Sequence, residues 1–553
     1  MQSLSRHASI TVLHDDLLWK IFLMNTRIDF ADEYHDLPNI PSGHNRPLNV
    51  ARHCSQVCRR WRSIFLSSSS IWGRLIDLDG LRQKTDEWRK EVVARSGESL
   101  LWVYGKVPWD QRIQDFIFAL LKRNWGRVQR LLVVDNGNRY QSLSLLNRQI
   151  KWAFLNEPAP QLESIRIKLS DMDSALPSWP LLEDCPLLRS FGIFDAVYRF
   201  SIGSSWLRNL SSVTFSSEFT TGKVLYALRM MTELVSLTVS NEGTDSGSDN
   251  HQLEFYPQIS LPKLRMLTLE GDARNAGTLL HCITPAPGCS LSTTWIDMPI
   301  PGSNSVDYEQ YEQGVSSYIV PYFSLHAPSA VELYFPIDRD VLLLEAIPST
   351  RSDILDYPRR FSIELYPSHL PSSFLVKELI TCATFSRVTT LHMPIFIMRA
   401  APRAASDLIY ILEAFSSLTT LSTTDVILSS LLCHPQRTAA LFPGLIELKL
   451  IRPSRMKEER SRRGEVPAHE RFLHLRKDVG RPIAVLELGF ILELQRDRDH
   501  LESELPGLLV KWSTISVDGE RCPDEYRCGD EEPEKLRFSR VIQNLNVNLY
   551  RGN

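Results

Sequence analysis

The chain has 553 residues, of which 43% are hydrophobic, and its 62 basic and 65 acidic residues leave a formal net charge of -3. This length exceeds what one compact core usually encloses, so it predicts several domains or an elongated repeat architecture. The near-neutral charge balance excludes a general attraction to nucleic acid or to an anionic membrane surface, and partners must therefore be recognised locally.

The lack of a recognisable targeting signal and the spacing of the cysteines predict an intracellular chain. No uninterrupted apolar run approaches the roughly 18 residues that a membrane-spanning helix needs. The N-terminal stretch contains Arg6 and Asp15 around a short apolar segment and does not fit a secretory signal. Its 9 cysteines are scattered without a CxxC pair, which is typical of reduced thiols. We expect a cytoplasmic or nuclear protein with no membrane partner.

Two short helical patterns open the chain. In the first, the apolar side consists of Leu13, Leu17, Leu18, Ile21 and Phe22. In the second, helical spacing predicts one shared face for Val50, Cys54, Val57, Cys58, Trp61, Ile64 and Phe65. A polar insert at 26–49 separates them, and the entropic cost of closing such a loop grows only with the logarithm of its length. Because helices this short are not stable alone, we expect the two to pack together.

This stretch resembles an F-box. The matching residues are, in order, residues 13–18 (LHDDLL), Ile21 with Phe22, residues 57–62 (VCRRWR), and Ile71 with Trp72. His14 stands where the family has a proline, and the 26–49 insert lengthens the usual link between helices. The resemblance covers roughly a tenth of the chain and implies a small three-helix fold that binds the Skp-family adaptor of cullin-RING ubiquitin ligases.

The resemblance also implies an adaptor-binding surface within a helical domain at 1–80. The residues expected at this surface or in its support are Leu13, Leu17, Leu18, Ile21, Phe22, Val57, Cys58, Trp61 and Trp72. Trp61 fits a core position equally well, because an aromatic side chain at helical spacing is more often core than contact. The alternative is an ordinary helical hairpin that caps a larger domain.

A weak repeat follows at 81–553. Strand and helix patterns first alternate through 100–135, and the template L-x-x-L-x-L then recurs with middle positions at Ile165, Phe191, Val213, Leu237, Leu267, Leu333, Ile363, Leu391, Leu421, Leu448, Leu486 and Ile515. Apart from one larger gap after Leu267, the intervals are roughly 22 to 38 residues, in or near the leucine-rich-repeat range. We predict an α/β fold in which an irregular leucine-rich-repeat-like solenoid with a parallel sheet follows the helical domain. The alternative is a doubly wound α/β domain.

The residue after each middle position is expected on the concave surface of such a solenoid. The candidates for target binding are Arg166, Thr214, Thr238, Thr268, Tyr334, Glu364, His392, Lys449 and Glu487, with Gly192, Ser422 and Ser516 in the same row. A small, neutral middle with charged ends suits a protein surface better than a phosphate backbone. The alternative is that these are simply solvent-exposed strand residues.

Four segments are predicted to be loops outside the repeat. They are the Gly/Ser-rich stretch at 241–251, the stretch at 299–314, the charged stretch at 453–470 and the acidic stretch at 521–535. Basic residues at 455–463 are interspersed with glutamates, which disfavours nucleic-acid binding.

Sequence motifs for catalysis are lacking, so we expect a binding protein. The chain contains no P-loop, no G-x-S-x-G and no H-E-x-x-H motif. Cys522 and Cys528 lack two further local ligands for zinc. We therefore predict no catalytic residue, metal or cofactor, and a substrate-recognition subunit whose partners are the adaptor, the cullin complex and a protein target. The alternatives are a repeat scaffold without a ligase role and an enzyme with an unrecognised site.

Overall fold

The computed structural model describes residues 13–26, 46–82, 85–108, 110–135, 150–169, 184–194, 198–241, 256–297, 306–326, 328–334, 342–348, 361–365, 375, 377–378, 385–394, 403–451, 466–490, 497–515 and 521–539. These residues form two compact units, the first ending at Ala286 and the second beginning at Pro287. Both units are mixed α/β, and the strands of each are mostly parallel. The boundary predicted at residue 80 does not coincide with this division.

The first unit begins with helices and continues with alternating strands and helices. Its helices are α1 (Asp15–Asn25), α2 (Pro47–Val57), α3 (Arg59–Ser67), α4 (Ser69–Gly73), α5 (Glu87–Arg95), α6 (Gln111–Asn124), α7 (Thr221–Leu228) and α8 (Ala273–Cys282), with 3-10 turns at Trp125–Arg127, Ala153–Asn156 and Ser205–Asn209. Its strands are β1 (Ile76–Asp77), β2 (Leu101–Val107), β3 (Val128–Asp135), β4 (Ser164–Leu169), β5 (Ser190–Phe194), β6 (Ser212–Phe215), β7 (Ser236–Asn241), β8 (Ile259–Leu261), β9 (Met266–Asp272) and β10 (Ile283–Pro285).

Parallel strands in the first unit pair in chain order from β1 to β7 and then β9, while β8 and β10 form a separate pair. The predicted middle positions are in register, because Ile165 pairs with Phe191, Phe191 with Val213, Val213 with Leu237 and Leu237 with Leu267. All five side chains are buried. The same row extends upstream through Leu131, Val103 and Ile76. The sequence pattern thus predicted both the strand direction and the register of this unit.

Contacts between α2 and the first strand join the helical region to the sheet. The Arg46 guanidinium lies 3.0 Å from Asp77 Oδ1 and 3.5 Å from Asp79 Oδ2. Asp77 is fully buried, and the same oxygen accepts the backbone N–H groups of Asp79 and Gly80. A Cβ on Gly80 would come within 2.8 Å of Leu48 Cδ2, so α2 packs directly on this turn.

The second unit begins with strands and a long helix. Its strands are β11 (Ser290–Asp297), β12 (Pro328–Tyr334), β13 (Leu342–Pro348), β14 (Phe361–Leu365), β15 (Thr390–His392), β16 (Thr420–Thr423), β17 (Glu447–Leu450), β18 (Val485–Phe490), β19 (Leu509–Ile515) and β20 (Arg521–Arg527). Its helices are α9 (Val306–Leu325), α10 (Arg403–Leu412), α11 (Asp425–Leu431), α12 (Pro435–Ala440), α13 (Ala468–Asp478) and α14 (Leu501–Glu504), with 3-10 turns at Phe385–Arg387 and Pro533–Leu536.

Strand order in the second unit departs from a simple repeat at its beginning. The order is β11, β14, β13, β12 and β15, with β13 antiparallel to both of its neighbours. Leu391 therefore pairs with Val331 of β12 rather than with the predicted Ile363. From β15 to β19 the strands are parallel and in chain order, with Leu391, Leu421, Leu448 and Leu486 in one buried row. The expectation of consecutive parallel copies at Leu333 and Ile363 is wrong.

The last repeat lies earlier in the chain than predicted. Leu486 pairs with Val510, not with Ile515, so Val510 is the middle position and the matching copy of the template is Gly507, Val510 and Trp512. The residue after the middle position is accordingly Lys511, which pairs with Glu487, and the predicted Ser516 lies outside the described residues.

Two of the predicted loops contain regular structure. Residues 306–314 of the 299–314 stretch belong to helix α9, and the 521–535 stretch begins with β20, which pairs antiparallel with β19. The prediction of loops throughout these two stretches is therefore wrong. Helix α13 begins at Ala468 within the predicted 453–470 loop. Residues 27–45, 242–251, 299–305 and 453–465 of the predicted insert and loops lie outside the described residues.

Candidate functional site

Helix α1 is fixed at its N-terminus by polar contacts. His14 is the N-cap, and its Nδ1 accepts the backbone N–H of Asp16 at 3.3 Å. Asp15 and Asp16 occupy the first turn, where a carboxylate interacts favourably with the helix dipole. The Arg60 Nε donates to Asp15 Oδ1 at 2.7 Å, and the Arg60 Nη2 donates to the carbonyl of Leu13. These contacts attach the start of α1 to α3.

One side of α1 packs into an aromatic core. Leu18 and Phe22 are buried, and the Phe22 ring centroid lies 4.9 Å from that of Trp61 and 4.4 Å from that of Phe65. Ring pairs at such distances add to the free energy gained from burial alone. Leu18 and Phe22, which the F-box resemblance assigned to the adaptor surface or its support, are therefore core residues of the first unit.

Beside this buried face, α1 has an exposed apolar stripe. Leu17, Ile21 and Met24 lie three and four residues apart, so they share one face, and their exposed fractions are 48%, 40% and 72%. We call these three residues the α1 stripe. Leu17 and Ile21 were expected at the adaptor surface, whereas Met24 was not. Its position seven residues after Leu17 is the signal that identifies it.

The predicted helical face from Val50 to Phe65 is interrupted at Cys58, where one helix ends and the next begins. This residue has φ -156° and ψ 169°, which ends α2 and begins α3. Its Sγ accepts the backbone N–H of Trp61 at 3.5 Å. Val57 and Cys58 are exposed, while Ile64 and Phe65 are buried, so the prediction of one continuous face from Val50 to Phe65 is wrong. An extended residue between two short helices turns the chain and separates these side chains.

Trp72 is a structural residue in the first unit. Its side chain is 3% exposed, and its Nε1 donates to the Phe65 carbonyl at 2.6 Å. The Arg95 guanidinium lies 4.8 Å from the ring centroid of Trp72, and the Trp88 ring packs edge-on at 6.2 Å. Direct contact of Trp72 with an adaptor is excluded unless the core opens, so Trp72 supports the surface rather than forming it.

The predicted adaptor residues therefore divide into three groups. Exposed side chains belong to Leu17, Ile21, Val57 and Cys58; partly exposed ones to Leu13 and Trp61; buried ones to Leu18, Phe22 and Trp72. The structure brings α1, α2 and α3 into mutual contact. An exposed apolar surface over a buried aromatic core is the arrangement that a protein partner can cover.

The outward row of the first unit contains small side chains around one arginine. Arg166 is partly buried, and its guanidinium lies 3.4 Å from Ser190 Oγ and 3.5 Å from Ser212 Oγ on the next strands. Thr214 pairs with Thr238, and Thr238 with Thr268. Thr238 and Thr268 are partly exposed, whereas Thr214 is only 6% exposed. Thr214 therefore contributes little surface to a partner.

The outward row of the second unit is charged. Lys449 Nζ lies 3.0 Å from Glu487 Oε2 and 3.5 Å from Glu447 Oε1. Burial lowers the pKa of Lys449, but the contacts with the two glutamates outweigh it and raise the pKa overall. Burial, and then Lys449, lower the pKa of His392. This row therefore carries a neutral imidazole beside a charged ammonium near neutral pH.

Further members of this row extend the charge pattern. Lys511 follows Glu487 across the sheet, and its Nζ lies 3.8 Å from Glu525 Oε2 on the antiparallel β20. Sequence reasoning missed Lys511, because it placed the last repeat five residues too late. Glu332 of β12 pairs with His392 and takes the place in this row that was predicted for Tyr334. The side chains of Tyr334 in β12 and Glu364 in β14 lie outside the described part of the chain.

No group of three or more His, Cys, Asp or Glu side chains in the described part of the chain could hold a metal ion. Among the described helices, none has both the length and the apolar composition that crossing a membrane requires.

Comparisons with known proteins leave the family of this chain open. No protein-family model matches the sequence, and no curated protein sequence matches it either.

Proposed function

We propose that this protein is a substrate-recognition subunit of a Skp/cullin/F-box ubiquitin ligase. Its N-terminal helices bind the Skp-family adaptor, and the outward rows of its parallel strands bind the target protein. The observation that carries this proposal is the α1 stripe, an exposed apolar face on a helix whose buried face is anchored in an aromatic core. Helices commonly dock on partners through residues spaced in this way.

The backbone at His14 supports the resemblance to an F-box. The family has a proline at this position, and proline fixes φ near -65°. His14 has φ -64° and caps α1 with its side chain. The local conformation that proline would impose is thus present without proline, so this departure from the motif does not remove the start of the helix.

Strand register supports an irregular leucine-rich-repeat-like solenoid as the target-binding part. In each unit, parallel strands follow one another in chain order over several copies with the template leucines in one buried row. Stacked repeats of this kind leave the alternate side chains on a continuous second face. The antiparallel β13 and β20 are departures from the repeat, and they make the proposed solenoid irregular.

The proposed role requires no catalytic group in this chain. A receptor accelerates ubiquitin transfer by holding a target lysine near a conjugate that other subunits supply, which replaces an encounter in solution by a fixed proximity. We propose accordingly that the chain is not an enzyme and needs no cofactor.

Affinity capture from cells treated with a proteasome inhibitor tests the proposal. The full-length protein should recover the Skp-family adaptor and a cullin, whereas Leu17→Asp with Ile21→Asp should lose both and retain target proteins. Val426→Asp is the matched control, because Val426 is an exposed apolar side chain on helix α11 of the second unit. A full-length protein that is monodisperse and never recovers the adaptor would instead indicate a repeat scaffold without a ligase role.

A further inference from the structure

A buried ionic cluster in the second unit joins three segments of the chain. Its centre is His469 near the start of α13, whose side chain is 1% exposed. His469 Nδ1 lies 2.6 Å from Asp425 Oδ1 at the start of α11, and His469 Nε2 lies 2.6 Å from Arg498 Nη1. Arg498 also donates to Glu470 Oε1, and both of these residues are buried.

The partners of His469 determine its protonation state. A guanidinium N–H can only donate, so the Nε2 that faces Arg498 must be an unprotonated acceptor. Nδ1 must then carry the proton and donate it to the Asp425 carboxylate, which also accepts the backbone N–H of His469 at 2.9 Å. The geometry therefore requires a neutral imidazole with its hydrogen on Nδ1.

Arg498 connects this cluster to the C-terminal residues of the described chain. Its backbone N–H donates to the Leu536 carbonyl at 2.9 Å. The neighbouring Asp499 accepts from Arg537 Nε at 2.8 Å, and Asp497 accepts from the backbone N–H and the hydroxyl of Ser539. Residues 497–499 and 536–539 are thus held together, and the Arg498 side chain fastens both to α13.

We infer that this cluster is an acid-sensitive latch: protonation of His469 Nε2 releases Arg498, and with it residues 497–501 and 533–539, from helix α13. A proton on Nε2 places an imidazolium against a guanidinium at contact distance. Glu470 Oε1 lies 3.7 Å from Nε2 but is already paired with Arg498, and Glu470 Oε2 faces the exposed His500 at 3.3 Å. The new positive charge therefore competes with Arg498 for one carboxylate.

The direction of the pH effect follows from the surroundings of His469. Burial is the largest cause that lowers the pKa of His469, and Arg498 adds to it, while the hydrogen bond to Asp425 opposes both. A histidine whose pKa is lowered in the closed state binds its proton more readily once the latch opens. The closed latch is thus most stable above the ordinary histidine pKa of about 6.5 and loses stability as the pH falls below it.

Hydrogen exchange of the full-length protein, followed by mass spectrometry at pH 7.5 and pH 5.5, tests this latch. After correction for the intrinsic pH dependence of exchange, amides in 497–501 and 533–539 should open more often at pH 5.5, by up to about tenfold, because that pH is one unit below the ordinary histidine pKa. His469→Gln, whose amide does not titrate, should abolish the difference. His474→Gln, on the same helix but partly exposed, should preserve it.

Two results would overturn the inference. One is an opening frequency in the wild-type protein that does not change with pH, and the other is the same pH dependence in His469→Gln. If His469→Gln fails to fold, NMR of ring-labelled histidine in the wild-type protein decides the question. The latch requires an Nδ1-protonated neutral ring at pH 7.5 and protonation that coincides with faster exchange of 497–501. A His469 that titrates without that change contradicts it.

Discussion

Leu17 and Leu18 are neighbours in α1, yet one is half exposed and the other is completely buried. Removing most of a buried leucine side chain costs about 2–5 kcal/mol, because both its burial and the packing around it are lost. Substitution of an exposed side chain usually changes the free energy of unfolding by no more than about 0.5 kcal/mol. We therefore expect Leu18→Ala, but not Leu17→Ala, to lower the urea concentration at which the first unit unfolds. Equal shifts for the two variants would contradict the orientation of α1.

Cys58 provides a direct probe of the proposed adaptor surface. Cys58 is exposed, whereas burial raises the pKa of Cys185 to about 12 and that of Cys528 to about 11. Only a thiolate reacts rapidly with an alkylating reagent. At pH 7.5, N-ethylmaleimide should label Cys58 in the folded protein and leave Cys185 and Cys528 unlabelled.

Addition of the purified adaptor should slow labelling of Cys58 by tenfold or more. Cys433 is the internal control, because it is exposed in the second unit and should react at an unchanged rate. Mass spectrometry of tryptic peptides measures both rates. Labelling of Cys58 that is unaffected by a bound adaptor would place the adaptor elsewhere on the chain.

The helical spacing predicted which apolar residues of α1 lie on one side of the helix, but not which of them are exposed to a partner. Leu17 and Leu18 have the same chemistry, and only the position of α3 with its Trp61 and Phe65 decides which one is buried. Trp72 was predicted at the adaptor surface or in its support because it completes the motif. Its hydrogen bond to the Phe65 carbonyl, which no sequence pattern encodes, shows that it belongs to the core.

At the level of elements, Arg476 fastens α13 to the residues that end α12. Its side chain is fully buried, and its guanidinium donates to the carbonyls of Leu441 at 2.8 Å and Phe442 at 3.1 Å. A buried carbonyl left without a donor costs about 1–3 kcal/mol. Arg476→Met should therefore destabilise the second unit by at least about 2 kcal/mol.

Arg476→Lys should recover only part of this loss, because one ammonium cannot reproduce the planar fork that spans two carbonyls. Arg471→Met, an exposed position on the same helix, should leave stability unchanged. The measurement is urea unfolding of the full-length variants, with hydrogen exchange of α13 to assign the transition. Equal stability of Arg476→Met and Arg471→Met would contradict the anchoring role.

The strands of the repeat were predictable where each copy has the same surroundings. Leu237 and Leu267 are paired as the template requires, because adjacent parallel strands in register bury the same face. The repeat, rather than the alternating hydrophobicity of a single strand, predicts the parallel direction, and antiparallel β13 interrupts that repeat, which is why it was missed. The last copy was misplaced because Gly507 stands where the template has its first leucine, whereas Trp512, Ile515 and Val517 are all apolar, and only the pairing of Val510 with Leu486 identifies the true copy.

At the scale of the chain, the helical region and the first strands form one compact unit. Ile76 and Asp77 pair with β2, and Asp77 is fixed to α2 through Arg46. Deleting residues 1–80 removes β1 as well as the α1 stripe, so it should leave the backbone N–H and C=O groups of β2 that face β1 unpaired. We expect this truncation to aggregate or to unfold at lower temperature in a thermal scan, whereas Leu17→Asp with Ile21→Asp should match the wild type. A truncated protein with unchanged stability would contradict the shared core.

The affinity of the full-length protein for a purified Skp-family adaptor tests the central claim most directly. The dissociation constant for the adaptor is measured for the wild type, for Leu17→Asp with Ile21→Asp and for Val426→Asp. Comparison of the three proteins distinguishes the loss of a contact from the loss of the fold. We predict a one-to-one complex for the wild type and for Val426→Asp, and a dissociation constant at least about a hundredfold higher for the double variant, since two buried charges in an apolar interface cost several kcal/mol. A folded wild-type protein that does not bind the adaptor, or a double variant that binds it equally well, would contradict the proposed function.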